Sequence, residues 1–211
     1  MNLVKRIVVF LIVAASLLSF SACGGDDGAD TPGENADMTL DYSDVDAADF
    51  VRSITYKGLT VTLADKNASR ETALWDSILA TAETGEIPED KAMYYFQQTK
   101  DYYMYFAGDM EKDYEYVLRH FGTDETKMMN EAKELVKKDL VYLYIVNTEG
   151  IALTDGEKTE LFDKYVDKYV SDYSYNRDYV LANMTDIIYE SMLYDKTMEF
   201  LIANNTFVVQ E

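Results

Sequence analysis

Cysteine occurs once in the 211 residues, at Cys23; histidine occurs once, at His120, and proline twice. A single cysteine excludes an intrachain disulfide framework, so the fold has to be held by burial. One histidine with no further thiols makes a poor transition-metal set and supplies no nucleophile–base pair. His120 stands two residues before Gly122, where a helix C-terminus favours a positive side chain, and is expected to serve the helix. With little proline, the main helix breaker is nearly absent. Basic residues are also few: 19 Lys and Arg stand against 39 Asp and Glu, a net charge of −20. Such a chain lacks the broad cationic footprint that nucleic acid requires. No glycine-rich phosphate loop is present, and no cofactor is expected.

What is there begins with the N-terminus. Lys5 and Arg6 precede an apolar run from Ile7 to Leu18. That run is shorter than the roughly 20 residues needed to span a bilayer, but it suits a secretory signal. Ser21-Ala22-Cys23 resembles the lipobox of bacterial lipoproteins, with Phe20 departing from the usual leucine. The resemblance implies cleavage before Cys23, a diacylglyceryl thioether on its sulfur and acylation of the new amino terminus. More than one acyl chain gives stable anchoring. Residues 1–22 are thus expected to be a lipoprotein signal peptide, and their loss takes the net charge from −20 to −22, since they carry two basic residues and no acid. The expected location is the extracytoplasmic face of a cell membrane.

Residues 23–49 are expected to form a tether. They carry Asp26, Asp27, Asp30, Glu34, Asp37, Asp41, Asp44, Asp46 and Asp49 with no Lys or Arg. A segment so charged cannot bury enough apolar area to order itself and is held extended by self-repulsion; only Val45 to Phe50 begin to suggest order. Residues 50–211 are about 160 residues, enough for a core of their own.

In that domain one or two short strands are expected between Phe50 and Leu63, where β-branched residues are dense and Thr60-Val61-Thr62-Leu63 alternates. Helices then dominate. Arg70–Thr84 places Leu74, Trp75, Ile78 and Leu79 on one face, with Gly85 as its stop. Glu89–Ala107 has Ala92, Phe96, Tyr103 and Phe106 on one face and Tyr95, Tyr102 and Tyr105 on a second, with Gly108 as its stop. Met110–Phe121 aligns Tyr114, Val117, Leu118 and Phe121, ahead of Gly122. Thr123–Asn147 is a long central helix in which Met129, Ala132, Val136, Leu140 and Leu143 follow one another at spacings of 3, 4, 4 and 3, one helical face. Gly150 is suited to the positive φ of a C-terminal cap, and Thr154 with Glu157 forms a capping box. Thr154–Tyr173 is expected to bury Leu161, Phe162, Tyr165, Val166, Tyr169 and Tyr173. The last helices cover Arg177 to Ala203, and Phe207-Val208-Val209 is a closing strand or a docked extended end. Asp163, Asp167 and Asp172, interleaved with Lys164 and Lys168, predict a solvated ion-paired face.

The pattern Ala132-x-x-x-Val136-Lys137-x-x-Leu140, then Ile145-x-x-x-Glu149-Gly150-Ile151-x-Leu153-Thr154-x-x-Glu157, resembles the C-terminal chaperone domain of trigger factor. Tyr56-Lys57-Gly58-Leu59 resembles that family's segment leading into its isomerase domain, and Leu74-Trp75 followed by Ile87-Pro88-Glu89 resembles its entry into the arm helices. Only about seven residues, Ala64 to Arg70, separate the strand from the next helix. The resemblance therefore lacks room for the prolyl isomerase domain, and the ribosome-docking domain has no counterpart. Parvulin-linked periplasmic chaperones of the SurA type share this helical domain. The resemblance implies a mainly α fold, a multi-helix bundle with arm-like helices around a cradle.

Function is expected in the surplus of aromatic and methionine side chains: 18 Tyr, 9 Phe and 10 Met. Tyrosine offers a large stiff surface with a polar tip, and methionine adapts to irregular partners. Tyr95, Tyr102, Met104, Tyr105, Tyr142 and Tyr144 are the candidate client-binding residues; the competing reading is that they fill a tyrosine-rich core. The expected partners are unfolded or secreted polypeptides and, through the anchor, the membrane. The expected activity is that of a holdase without covalent chemistry, not an enzyme. An adaptor or ligand-binding lipoprotein for one partner is the alternative, and a homodimer formed by arm exchange is left open.

Overall fold

The computed structural model describes residues 40–173 and 175–210. The signal peptide, Cys23 and the tether up to residue 39 lie outside the described residues. In chain order the elements are α1 (Ala47–Phe50), β1 (Val51–Ser53), β2 (Thr60–Leu63), α2 (Arg70–Thr81), β3 (Glu83–Thr84), α3 (Glu89–Asp109), α4 (Tyr114–His120), α5 (Glu125–Glu149), α6 (Asp155–Tyr173), α7 (Arg177–Asn183), α8 (Thr185–Ala203) and β4 (Thr206–Val209). The fold is mainly α with a few short strands, and no helix among the described residues is long and apolar enough to cross a membrane. The chain divides into two compact units. The middle unit is Leu40–Ile54 with Thr81–Ile145. The terminal unit is Thr55–Ala80 with the described part of Val146–Glu211.

In the terminal unit β2 and β4 pair in parallel, from Thr60 opposite Thr206 to Leu63 opposite Val209, so the tail is a closing strand. Alternation turns Val61 and Leu63 inward. Asn205 fixes the approach of the two strands: its side chain accepts from the Leu59 N–H at 2.8 Å and donates to the Tyr56 carbonyl at 2.9 Å. Leu74, Trp75 and Ile78 of α2 are fully buried, as the spacing predicts. Val166, Val180, Met184, Ile187, Ile188 and Met192 form an apolar cluster, roofed by half-buried tyrosines that include Tyr165, Tyr169, Tyr179 and Tyr189. The capping box forms: the Thr154 N–H donates to Glu157 at 2.7 Å, and the Glu157 N–H donates to the Thr154 hydroxyl at 3.2 Å. Lys196 clamps this turn, reaching Glu157 at 2.6 Å and the Ala152 carbonyl at 2.8 Å. Lys196 first, then the Thr154 donors, pull the Glu157 carboxyl down to about 2. Gly150 has φ +62°, the left-handed geometry a helix stop favours.

Two expectations in this unit, for Leu161 and for the partners of Asp163 and Asp167, need correction. Leu161 is exposed, not buried, because it sits on the α6 face away from Phe162 and Val166. The last helices, expected over Arg177 to Ala203, are found as α7 and α8, parted at Met184, with φ −122° and ψ 13°. The carboxylates of Asp163 and Asp167 are paired by Arg177, at 2.8 Å for Asp163. A fork arriving from the next helix reaches two carboxylates one turn apart better than neighbouring lysines do. The side chain of Tyr173 lies outside the description.

In the middle unit β1 and β3 pair antiparallel, Val51 opposite Thr84 and Ser53 opposite Glu83. This corrects the expectation of helix through Thr84: α2 ends at Thr81, and Gly85 donates its N–H to the Phe50 carbonyl at 2.7 Å instead of capping a helix. Helix α3 runs past Gly108 to Asp109. The turn after it is made by Glu111, at φ 52°, and α4 starts four residues later than expected because Asp113 caps it, accepting from the Tyr116 N–H. Phe121, expected on the buried face, is 47% exposed. On α5, Ala132, Val136 and Leu140 are buried as predicted, with Met129 and Leu143 half-buried. Met128, Leu135, Val141 and Ile145 are buried as well, so this helix is covered on more than the one face that its strict repeat marks.

Candidate functional site

Of the large apolar side chains left exposed in the middle unit, Met104, Tyr105, Tyr116 and Phe121 fall within one helix–turn–helix. The second half of α3, α4 and the C-cap residue Phe121 carry them. Local sequence dictates this arrangement. The left-handed Glu111 reverses the chain, the Asp113 cap starts α4, and Gly122 at φ +66° ends it. Val117 and Leu118 are buried beneath α4, as is Ala107 beneath the end of α3. The rings left above are continuous. Tyr102 meets Phe106 edge-on at 4.7 Å, Phe106 meets Tyr105 at 6.1 Å and Phe121 at 5.7 Å, and Phe121 meets Tyr103 at 5.5 Å. His120 stands edge-on to Phe121 at 5.3 Å and stacks on Tyr116 at 6.1 Å. The edge-to-face pairs among these rings each contribute about 0.5–1.5 kcal/mol beyond their area burial.

Charged groups border the patch. Lys100 reaches Glu125 at 2.7 Å and lies over the rings of Phe96 and Tyr114. Lys112 lies over Tyr116. Burial and then the Glu125 carboxylate push the Tyr114 hydroxyl up to about 12, so it stays a neutral donor at physiological pH. No side chain in this patch is set up for covalent work; the surface offers stacking, van der Waals area and cation–π contact.

The candidates named from sequence divide. Met104 and Tyr105 are exposed on the patch, and Tyr102 is half-buried within it. Tyr95 belongs elsewhere: its hydroxyl donates to Asp139 at 2.6 Å, and burial pushes its pKa well up. Tyr142 and Tyr144 are half-buried on α5, and a separation of two residues turns them to different sides of a helix. Phe121, Tyr116, Tyr103, Phe106 and His120 were not among the site candidates. The available signal was Asp113, a capping residue three before Tyr116, which folds α4 back as a separate short helix. His120 does end α4, in its last turn with Arg119, and it also joins the ring system.

Comparisons with protein-family models, with curated proteins and with solved structures returned no match.

Proposed function

We propose that this chain is a membrane-tethered, extracytoplasmic holdase that binds exposed apolar segments of unfolded or secreted polypeptides without covalent chemistry. The observation that carries the reading is the contiguous, partly exposed ring surface from Tyr102 to Phe121. A soluble unit keeps such a surface uncovered only at a cost in solubility, and contiguous exposed apolar area marks interaction sites. The trigger factor resemblance and the lipobox-like segment at Cys23 support the same reading. The tether would then set the distance between membrane and binding surface. No prolyl isomerase activity is expected.

The alternative is an adaptor for one partner, favoured by the confinement of the exposed rings to one short helix–turn–helix. Light scattering of a diluted, denatured client with residues 24–211 added separates the two. Near-equimolar suppression that is lost in Met104→Ser/Tyr105→Ser/Phe121→Ser, with far-UV circular dichroism unchanged, supports the holdase. Absence of suppression across several unrelated clients rejects it and favours the single-partner reading. Tyr95 is left out of this variant because its hydroxyl is committed to Asp139.

A further inference from the structure

The end of the acidic segment is held on the middle unit by two of its own side chains. The Oδ2 atom of Asp139, on α5, accepts from the Tyr95 hydroxyl of α3 at 2.6 Å and from the Tyr42 hydroxyl at 2.7 Å. Lys91, on the first turn of α3 and only 8% exposed, reaches Asp44 at 2.7 Å, while the Asp44 side chain stays 64% exposed. The same ammonium lies 6.0 Å from the centre of the Tyr42 ring. A phenol and a carboxylate two residues apart thus fill a receptor made of Asp139, Tyr95 and Lys91.

Two features distinguish this from ordinary core packing. First, residues 40–45 join no strand, and their backbone makes a local turn, Val45 N–H to the Tyr42 carbonyl at 3.0 Å. Among the described residues regular structure begins at α1, where Asp46 caps Ala48. Second, each receptor group keeps a partner when the segment leaves. Asp139 keeps Tyr95, and Lys91 keeps Asp90 at 3.5 Å. A charge stripped of every partner would resist opening; one that keeps a partner can be uncovered and refilled.

We propose that Asp139, Tyr95 and Lys91 form a binding site for an extended Tyr-x-acid step of a polypeptide, with residues 40–46 as its resident occupant, a strap that the same chemistry offered by another chain displaces. The site lies apart from the Tyr102–Phe121 surface in sequence and in composition, and its test does not depend on holdase activity.

The test uses the full chain and a dye-labelled peptide with the sequence of residues 39–46, followed by fluorescence anisotropy. In the unaltered chain the strap competes from a short tether at an effective concentration of roughly millimolar, so the peptide binds weakly. Tyr42→Ala/Asp44→Ala should bind it at least tenfold more tightly. Adding Lys91→Ala to that variant should remove the gain, as should replacing the tyrosine of the peptide by alanine. Equal binding by the unaltered chain and the strap variant would overturn the proposal. Hydrogen exchange of the unaltered chain is the second measurement and needs no variant. The Val45 amide should exchange at least tenfold faster than those of Leu140 and Val141, and exchange at the same rate would mean that the segment opens only with the whole unit.

Discussion

The terminal unit and the Tyr102–Phe121 stretch of the middle unit use tyrosine in opposite ways. In the terminal unit the phenol tips are tied down: Tyr165 donates to Asp195 at 2.6 Å, Tyr194 to Glu71 at 2.7 Å and Tyr56 to Glu149 at 2.5 Å. Rings of the same unit roof the Val166–Ile188 cluster. In the middle unit, between Tyr102 and Phe121, rings face one another and solvent instead. A tyrosine-rich composition therefore does not by itself separate core from binding surface. The separation comes from what lies within reach of each hydroxyl, and in the terminal unit that is usually a carboxylate on another element.

The contrast is broken most severely at Ile188, fully buried in the terminal cluster. Ile188→Ala should cost about 2–5 kcal/mol through lost burial and a cavity. Phe121→Ser, which removes a ring already 47% exposed, should cost about 1 kcal/mol or less. Urea denaturation followed by fluorescence reads the first directly, since Trp75 is the single tryptophan and is buried in the terminal unit. If Phe121→Ser proves as damaging as Ile188→Ala, the ring patch is core after all.

Next in size is Tyr194→Phe. The Tyr194 hydroxyl accepts from the Trp75 indole N–H at 2.9 Å while donating to Glu71. Its removal leaves a buried indole donor without that acceptor and should cost about 1–3 kcal/mol, with a shift in Trp75 emission. Tyr105→Phe, on the 44% exposed ring, should leave stability unchanged within about 0.5 kcal/mol. Equal effects would erase the distinction between tied and free tyrosine tips.

One carboxylate in each unit should also answer pH with opposite sign. Glu157 is held near 2, below its usual 4.5, by Lys196 and the Thr154 donors. Its contribution is therefore full above 4.5 and is lost as pH falls from there toward 2. Asp139 is raised above its usual 3.8: desolvation outweighs the hydrogen bonds from Tyr95 and Tyr42 and the charge of Lys138. The folded state then holds the Asp139 proton longer than the unfolded chain does, so this group favours folding most below 3.8 and progressively less as pH rises. Urea midpoints measured across pH should show Glu157→Gln flattening the acid-side loss. Asp139→Asn should gain on the parent as pH rises above 3.8. Slopes that change in the same direction in both variants would contradict the assignment.

Local signals explain what was legible beforehand. The α2 face at Leu74, Trp75 and Ile78, the Ala132–Val136–Leu140 stripe, the Thr154–Glu157 box and the stop at Gly150 each depend on residues within about two helical turns, and each is found. Strand β3 is two residues long and exists only through Val51 and Ser53, some thirty positions away, so no window of sequence marks it. Of the site, Met104 and Tyr105 were legible as aromatic and methionine surplus. Tyr116 and Phe121 were not, because their place beside α3 depends on a reversal at Glu111, a residue type with no preference for positive φ. Tyr95 was misplaced for a related reason: its partner Asp139 is 44 residues away.

The smallest effect tests that same divide between local and distant pairing. Asp163 and Asp167 alternate with Lys164 and Lys168 along α6, which reads as a set of neighbouring pairs, yet Arg177 of α7 takes both carboxylates. All three groups are well exposed, with side-chain exposures of 43% for Arg177, 78% for Asp163 and 70% for Asp167. Solvent screening therefore limits Arg177→Ala to a loss of about 0–1 kcal/mol. The loss should shrink further near 1 M salt, where the screening length falls to about 3 Å. Lys164→Ala/Lys168→Ala should cost less than Arg177→Ala at low salt. The reverse ranking would mean that the pairs along the helix, not the fork from the next helix, hold this face.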